Sequence, residues 1–235
     1  MDKRSKKRNK SLKQYDTLHH AAGYGTYEDI KALINQKANV NKRDTKGHSP
    51  LMCAALRGCS PQILQLLVDA KADPNLTCRK TRSPLMWAAL SRSDEAMKIL
   101  INAKADVDFV NKYRGNTCTA LHLVTETKSL ERVKLLVEAK AELHLLDGYN
   151  ATALDIAEDC GRDDVARLLL DAKALPRETW QRMYNACTQG RAADVKSLVD
   201  AGYPFNVQDQ QGFYPLIFAT RHGRDEVTKL LIAAK

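Results

Sequence analysis

Residues 49–58 read SPLMCAALRG and residues 83–92 read SPLMWAALSR, so one mixed polar and apolar phrase returns after 34 residues. A fixed period of roughly 20–50 residues points to a stack of like supersecondary units rather than one globular core. With the leucine of the phrase as anchor, the equivalent positions are Leu18, Leu51, Leu85, Leu121, Leu154, Met183 and Leu216. The steps between them are 33, 34, 36, 33, 29 and 33 residues. A second mark closes each unit: QKA, DAKA, NAKA, EAKA, DAKA and AAK place Lys37, Lys71, Lys104, Lys140, Lys173 and Lys235 in register, with Gly202 standing in once.

Between the two marks lie apolar triplets spaced i, i+3, i+4, which is one stripe of a helix. They are Ile30/Leu33/Ile34, Leu64/Leu67/Val68, Met97/Leu100/Ile101, Val133/Leu136/Val137, Ala166/Leu169/Leu170, Val195/Leu198/Val199 and, more weakly, Thr228/Leu231/Ile232. Ahead of each sits a shorter helix rich in alanine, such as Ala54-Ala55 and Ala88-Ala89, whose small side chains let backbones approach. Gly25, Gly58, Gly161, Gly190 and Gly223 separate the two helices. A polar turn such as ANVNKRDTKGHSP follows the second helix. Helices this short are marginal alone and need a neighbouring unit to cover their apolar faces.

The chain resembles the ankyrin-repeat family over about residues 16–235. The family's T-P-L-H phrase is readable at Ser49-Pro50-Leu51-Met52, Ser83-Pro84-Leu85-Met86, Thr119-Ala120-Leu121-His122, Thr152-Ala153-Leu154-Asp155 and Tyr214-Pro215-Leu216-Ile217. Its G-A-D-V-N phrase is readable at Lys37-Ala38-Asn39-Val40-Asn41, Lys71-Ala72-Asp73-Pro74-Asn75 and Lys104-Ala105-Asp106-Val107-Asp108. The resemblance implies an all-α solenoid of about seven helix-turn-helix repeats. The units fall at about 16–44, 45–78, 79–113, 114–149, 150–178, 179–209 and 210–235, within an array spanning 14–235. Lysine replaces the family's glycine just past the second helix, a site that often needs a left-handed backbone. The 29-residue step, where LPRETWQRM replaces the long turn, predicts a shortened loop and a bend. The last helix, with polar Thr228 and Lys229 beside Val227 and Leu231, is compatible with a cap.

Charge is unevenly placed. The formal net charge is +9, and residues 1–13 carry seven Lys or Arg against one Asp. Residues 1–13 therefore read as a basic, disordered arm on a nearly balanced body. No apolar run approaches the ~18–20 residues of a membrane span, and no apolar segment follows the arm as in a secretory signal. The cysteines Cys53, Cys59, Cys78, Cys118, Cys160 and Cys187 include no C-x-x-C pair, so reduced thiols in a cytosol-like compartment are expected. A monomer in the cytoplasm or nucleus is the expectation.

No phosphate loop, nucleophile elbow or metal quartet occurs, so no catalytic, cofactor or metal site is expected. His19-His20 cannot chelate together, because adjacent helical residues do not share a face. His19 and His122 fall on the family's structural histidine. His48, His144 and His222 lie in loops or at helix ends without an identifiable partner. Asp163-Asp164 and Asp225-Glu226 open second helices, where acidic side chains suit the dipole. Trp87 reads as core.

By resemblance, partners dock on the concave face made by hairpin tips and first helices. On this sequence that face comprises Tyr24, Lys46, His48, Leu56, Arg57, Arg79, Lys80, Arg82, Leu90, Tyr113, Asn116, Glu126, Tyr149, Asp159, Trp180, Phe213, Arg221 and His222. The first half offers cations with two leucines among them, and the second half offers aromatics. The expectation is therefore a non-catalytic adaptor, inhibitor or targeting module that holds an acidic segment of a partner protein. Two alternatives remain open here. One is a nuclear or nucleic-acid-associated factor using residues 3–13. The other is the recognition part of a larger protein, bacterial effectors being one setting for such expanded repeats. The resemblance also implies asparaginyl hydroxylation at Asn41, Asn75 and Asn206, each preceded eight residues earlier by leucine (Leu33, Leu67, Leu198).

Overall fold

The computed structural model describes residues 18–58, 60–78, 81–91, 93–113, 116–127, 129–174, 177–203, 205 and 212–234. The basic arm of residues 1–13, Cys59, Arg79, Lys80 and Asn206 lie outside the described residues. The chain divides into two compact units, residues 1–111 and 112–235.

Unit 1 holds three helical pairs: α1 (Leu18–Tyr24) with α2 (Tyr27–Asn35), α3 (Pro50–Arg57) with α4 (Pro61–Asp69), and α5 (Pro84–Leu90) with α6 (Asp94–Asn102). The first helices stack α1 on α3 on α5, and the second helices stack α2 on α4 on α6, giving two helical layers. Unit 2 holds α7 (Ala120–Thr125) with α8 (Leu130–Glu138), α9 (Ala153–Asp159) with α10 (Asp163–Asp171), α11 (Arg177–Gln189) with α12 (Ala192–Asp200), and α13 (Pro215–Arg221) with α14 (Asp225–Ala233). Here α9 packs on α7 and α10 on α8, while α13 packs on α11 and α14 on α12. The only strands among the described residues, β1 (Asn111–Tyr113) and β2 (Asn116–Cys118), pair as a hairpin in the longest loop, residues 103–119. No helix of the described residues is long and apolar enough to cross a membrane.

The recurring phrase acts first as a helix start. The side chains of Ser49, Ser83, Thr119 and Thr152 accept hydrogen bonds from the backbone N–H three residues on, at Met52, Met86, His122 and Asp155. Proline at the first position of α3 and α5 has no N–H to leave unpaired there. The anchor that follows is core: Leu51, Leu85, Leu154 and Met183 are fully buried, while Leu216 is half-buried.

Five of the second helices end on the lysine mark, and α12 on its glycine. Lys37, Lys71, Lys104, Lys140 and Lys173 take φ of 60, 66, 64, 60 and 68°, and Gly202 takes 83°. The Lys71 N–H donates to the Val68 carbonyl and the Ala72 N–H to the Leu67 carbonyl, at 2.9 and 3.0 Å. The same two bonds recur at the other four lysines, so each of these phrases closes a Schellman cap, and the alanine after the lysine is buried at Ala72, Ala105, Ala141 and Ala174. Neighbouring turns in unit 1 are then tied side by side. Asn41 donates its amide to the Lys71 carbonyl at 3.2 Å and accepts from the Asp73 N–H at 2.8 Å. Asn75 repeats this one unit on, with the Lys104 carbonyl and the Asp106 N–H.

The stripe on the second helices is narrower than the triplets imply. Its third member rolls outward: Leu170 and Ile232 are 48% and 54% exposed. In α10 and α14 the buried pairs are Val165 with Leu169 and Val227 with Leu231, one residue ahead of the expected Ala166 and Thr228. A helix turns about 100° per residue, so the i+4 member of a triplet lands at the edge of the covered arc. The loop before α11 is short, residues 172–176, and LPRETWQRM feeds the longest described helix, of 13 residues.

Candidate interaction face

Counting from each anchor, three positions of a first helix point to the loop side. In unit 1 the second position past the anchor gives His20, Cys53 and Trp87. The fifth gives Gly23, Leu56 and Leu90, and the sixth gives Tyr24, Arg57 and Ser91. Six of these residues, with His19, Asp44, Lys46 and His48, line one groove of about 350 Å3. The structure thus brings Tyr24, Lys46, His48, Leu56 and Arg57 to a single surface.

Its rim is built by the loop leading into α3. Asp44 accepts from the N–H groups of Lys46 and His48 through Oδ1, and its Oδ2 meets His48 Nδ1 at 3.3 Å. Burial acts to raise the Asp44 carboxyl, but those N–H groups and the imidazole outweigh it and hold the group below the usual carboxylate range. Arg43 donates to the Thr77 carbonyl, and the Cys78 thiol donates to the Lys46 carbonyl, so successive loops support one another. In unit 2, Asp147 does the same for the N–H groups of Tyr149 and Ala151. Lys46 and Tyr149 therefore hold equivalent places at their loop tips, and Tyr149 is 80% exposed.

Two arginines lie over aromatic rings along the unit 1 face. The Arg57 guanidinium is 4.6 Å from the Tyr24 centroid, and Arg82 is 4.6 Å from that of Trp87. His48 sits edge-on to Trp87 at 6.2 Å, which continues the groove toward α5. Trp87 is thus a half-buried member of the face rather than core. Leu90 is 38% exposed.

The histidines all find partners. Nε2 of His19 reaches the Lys42 carbonyl at 2.6 Å, and Nε2 of His122 the Leu145 carbonyl at 3.0 Å. Each ties a first helix to the loop leaving its pair, the structural role expected of them. His48 pairs with Asp44, His144 with Glu142 at 2.9 Å, and His222 Nδ1 with the Phe218 carbonyl. Sequence reasoning missed all three; for His48 the signal was an aspartate four residues upstream.

In unit 2, Arg221 and His222 are exposed at the fifth and sixth positions past the anchor Leu216, and Glu126 and Asp159 at the fifth position past theirs. Trp180 and Phe213 pack onto the core of α11–α14. Trp180 stacks on Tyr184 at 5.5 Å, Tyr184 meets Phe218 edge-on at 4.6 Å, and Phe213 meets Phe218 at 6.1 Å. Tyr113 and Asn116 fall on β1 and β2. Five cysteines are described and all are free thiols; burial pushes the Cys187 thiol up to about 11. Among the described residues no group of three or more His, Cys, Asp or Glu is placed to hold a metal ion.

A family model for ankyrin repeats (3 copies) matches residues 18–111 and 85–179. The chain belongs to the ankyrin-repeat family. Ankyrin repeats are generally protein–protein interaction modules, and in unit 1 the loop-and-first-helix surface brings Tyr24, Lys46, His48 and Arg57 together. A search of curated proteins returns no match.

Proposed function

We propose that this ankyrin-repeat protein is a non-catalytic adaptor, inhibitor or targeting subunit, acting in the cytoplasm or nucleus. It holds a partner protein on the face formed by loop tips and first helices. The observation carrying this reading is the unit 1 groove, where Tyr24, Lys46, His48, Leu56 and Arg57 converge on one surface. Arginine and aromatic side chains are over-represented among residues that carry interface energy. In unit 2, Tyr149 supplies an exposed ring on an aspartate-braced loop. A second reading, contact with nucleic acid through residues 3–13, rests on the seven cations among residues 1–13.

Site-specific photo-cross-linking in cells tests the first reading. A cross-linker at Tyr24, Leu90 or Tyr149 is expected to capture one common partner. The same group at Lys134 or Lys229, exposed on α8 and α14, is expected to leave that partner uncaptured. Capture only from the second helices, or from no position, would overturn it.

A further inference from the structure

Resting on that reading, we propose that the unit 1 groove takes an extended peptide with an acidic residue at every third position and aliphatic residues between. The charge balance comes first. The loop 42–48 carries Lys42, Arg43 and Lys46 against Asp44, and Arg82 lies in the next loop. Asp44 is committed to its own loop through two backbone N–H groups and His48. Among the described residues, Lys46, Arg57 and Arg82 form no ion pair. The surface is therefore left with uncompensated cations.

The form of the cations narrows the ligand. A guanidinium stacked on a ring keeps its N–H edge in plane, where it can meet a carboxylate with two bonds. Arg57 lies over Tyr24 and Arg82 over Trp87, each 4.6 Å from the ring centroid. Each guanidinium covers one face of its ring, which leaves less ring face for a nucleic acid base to stack on. Leu56 in the groove and Leu90 at the matching position of α5 suit aliphatic side chains instead. Helices stacked side by side lie about 8–10 Å apart. An extended chain in the polyproline-II form advances about 3.1 Å per residue and returns to the same face every third residue. Carboxylates about three residues apart would thus meet successive units.

The test uses the full chain and fluorescence anisotropy with a labelled probe, Gly-Glu-Ala-Leu-Glu-Ala-Leu-Glu-Gly. A lysine-for-glutamate version and a 12-nucleotide single-stranded DNA serve as comparators. The glutamate peptide is expected to bind, and more weakly as salt rises. Lys46→Ala, at an exposed loop tip, and Arg57→Ala are each expected to weaken it at least tenfold, about 1.4 kcal/mol. Arg191→Ala, which removes a guanidinium paired with Asp194 on α12, is expected to change nothing. Changing Lys3, Arg4, Lys6, Lys7, Arg8, Lys10 and Lys13 to serine is also expected to change nothing. No binding, binding indifferent to Lys46 and Arg57, loss with the serine arm, or preference for either comparator overturns the inference. Should any of these occur while Tyr24, Leu90 and Tyr149 still cross-link one partner, the peptide chemistry falls and the protein-binding reading stands.

Discussion

Five lysines adopt a left-handed backbone that glycine adopts without strain. A non-glycine residue there costs roughly 1–2 kcal/mol, while the extra freedom glycine loses on folding returns roughly 0.5–1 kcal/mol of that. Lys71→Gly is therefore expected to stabilise by about 0.5–1 kcal/mol, read as a higher urea midpoint with unchanged slope. A lower midpoint would show that the lysine side chain stabilises the cap by more than its strain. This conformation was legible in the sequence, because the lysine sits where Gly202 sits once. The role of Trp87 was not. Its register matches Cys53 in a half-covered row, and only the loop carrying Arg82 and His48 decides what covers it.

At the scale of the element, starts and loops are set by short polar devices. In α7 the capping box uses a histidine: Thr119 caps the His122 N–H while its own N–H donates to His122 Nδ1 at 3.1 Å. Nε2 donates to the Leu145 carbonyl, so the folded helix needs the neutral ring. Burial lowers the His122 pKa, and nearby Asp147 only partly opposes it. The unfolded chain then binds the extra proton first as pH falls. This stabilisation is complete above the ordinary histidine value of 6.5 and is lost as pH drops from there toward the folded value. His122→Gln keeps a capping box without a titrating ring. Its urea midpoint is expected to fall less between pH 7.5 and 5.5 than that of the natural chain; equal falls would count against this role. The cap residues were readable from the phrase itself. A second device was missed. Arg162 and Arg224, each just ahead of a second helix, reach back to the carbonyls of Thr127 and Thr188 at the end of the preceding pair's first helix. The recurring Gly-Arg-Asp at 161–163 and 223–225 was its signal.

For the whole molecule, stability in a repeat stack is close to a sum of units and nearest-neighbour interfaces. Phe218 lies at the centre of the α11–α14 aromatic cluster, 8% exposed. Phe218→Ala, a change that typically costs 3–5 kcal/mol, is expected to lower hydrogen-exchange protection throughout α11–α14 and to leave α1–α6 unchanged. Uniform loss of protection would show one cooperative body. The period, the helical pairs and the buried anchors could all be read from the repeating phrase. Trp180 and Phe213 could not: Trp180 lies on α11, behind the short loop 172–176, Phe213 lies in the loop before α13, and both rings pack onto the α11–α14 core. None of the five left-handed lysines lines the groove. Exchanging them would reset how long a molecule survives in the cell while leaving what it grips untouched. Lifespan and recognition can thus drift independently in this lineage.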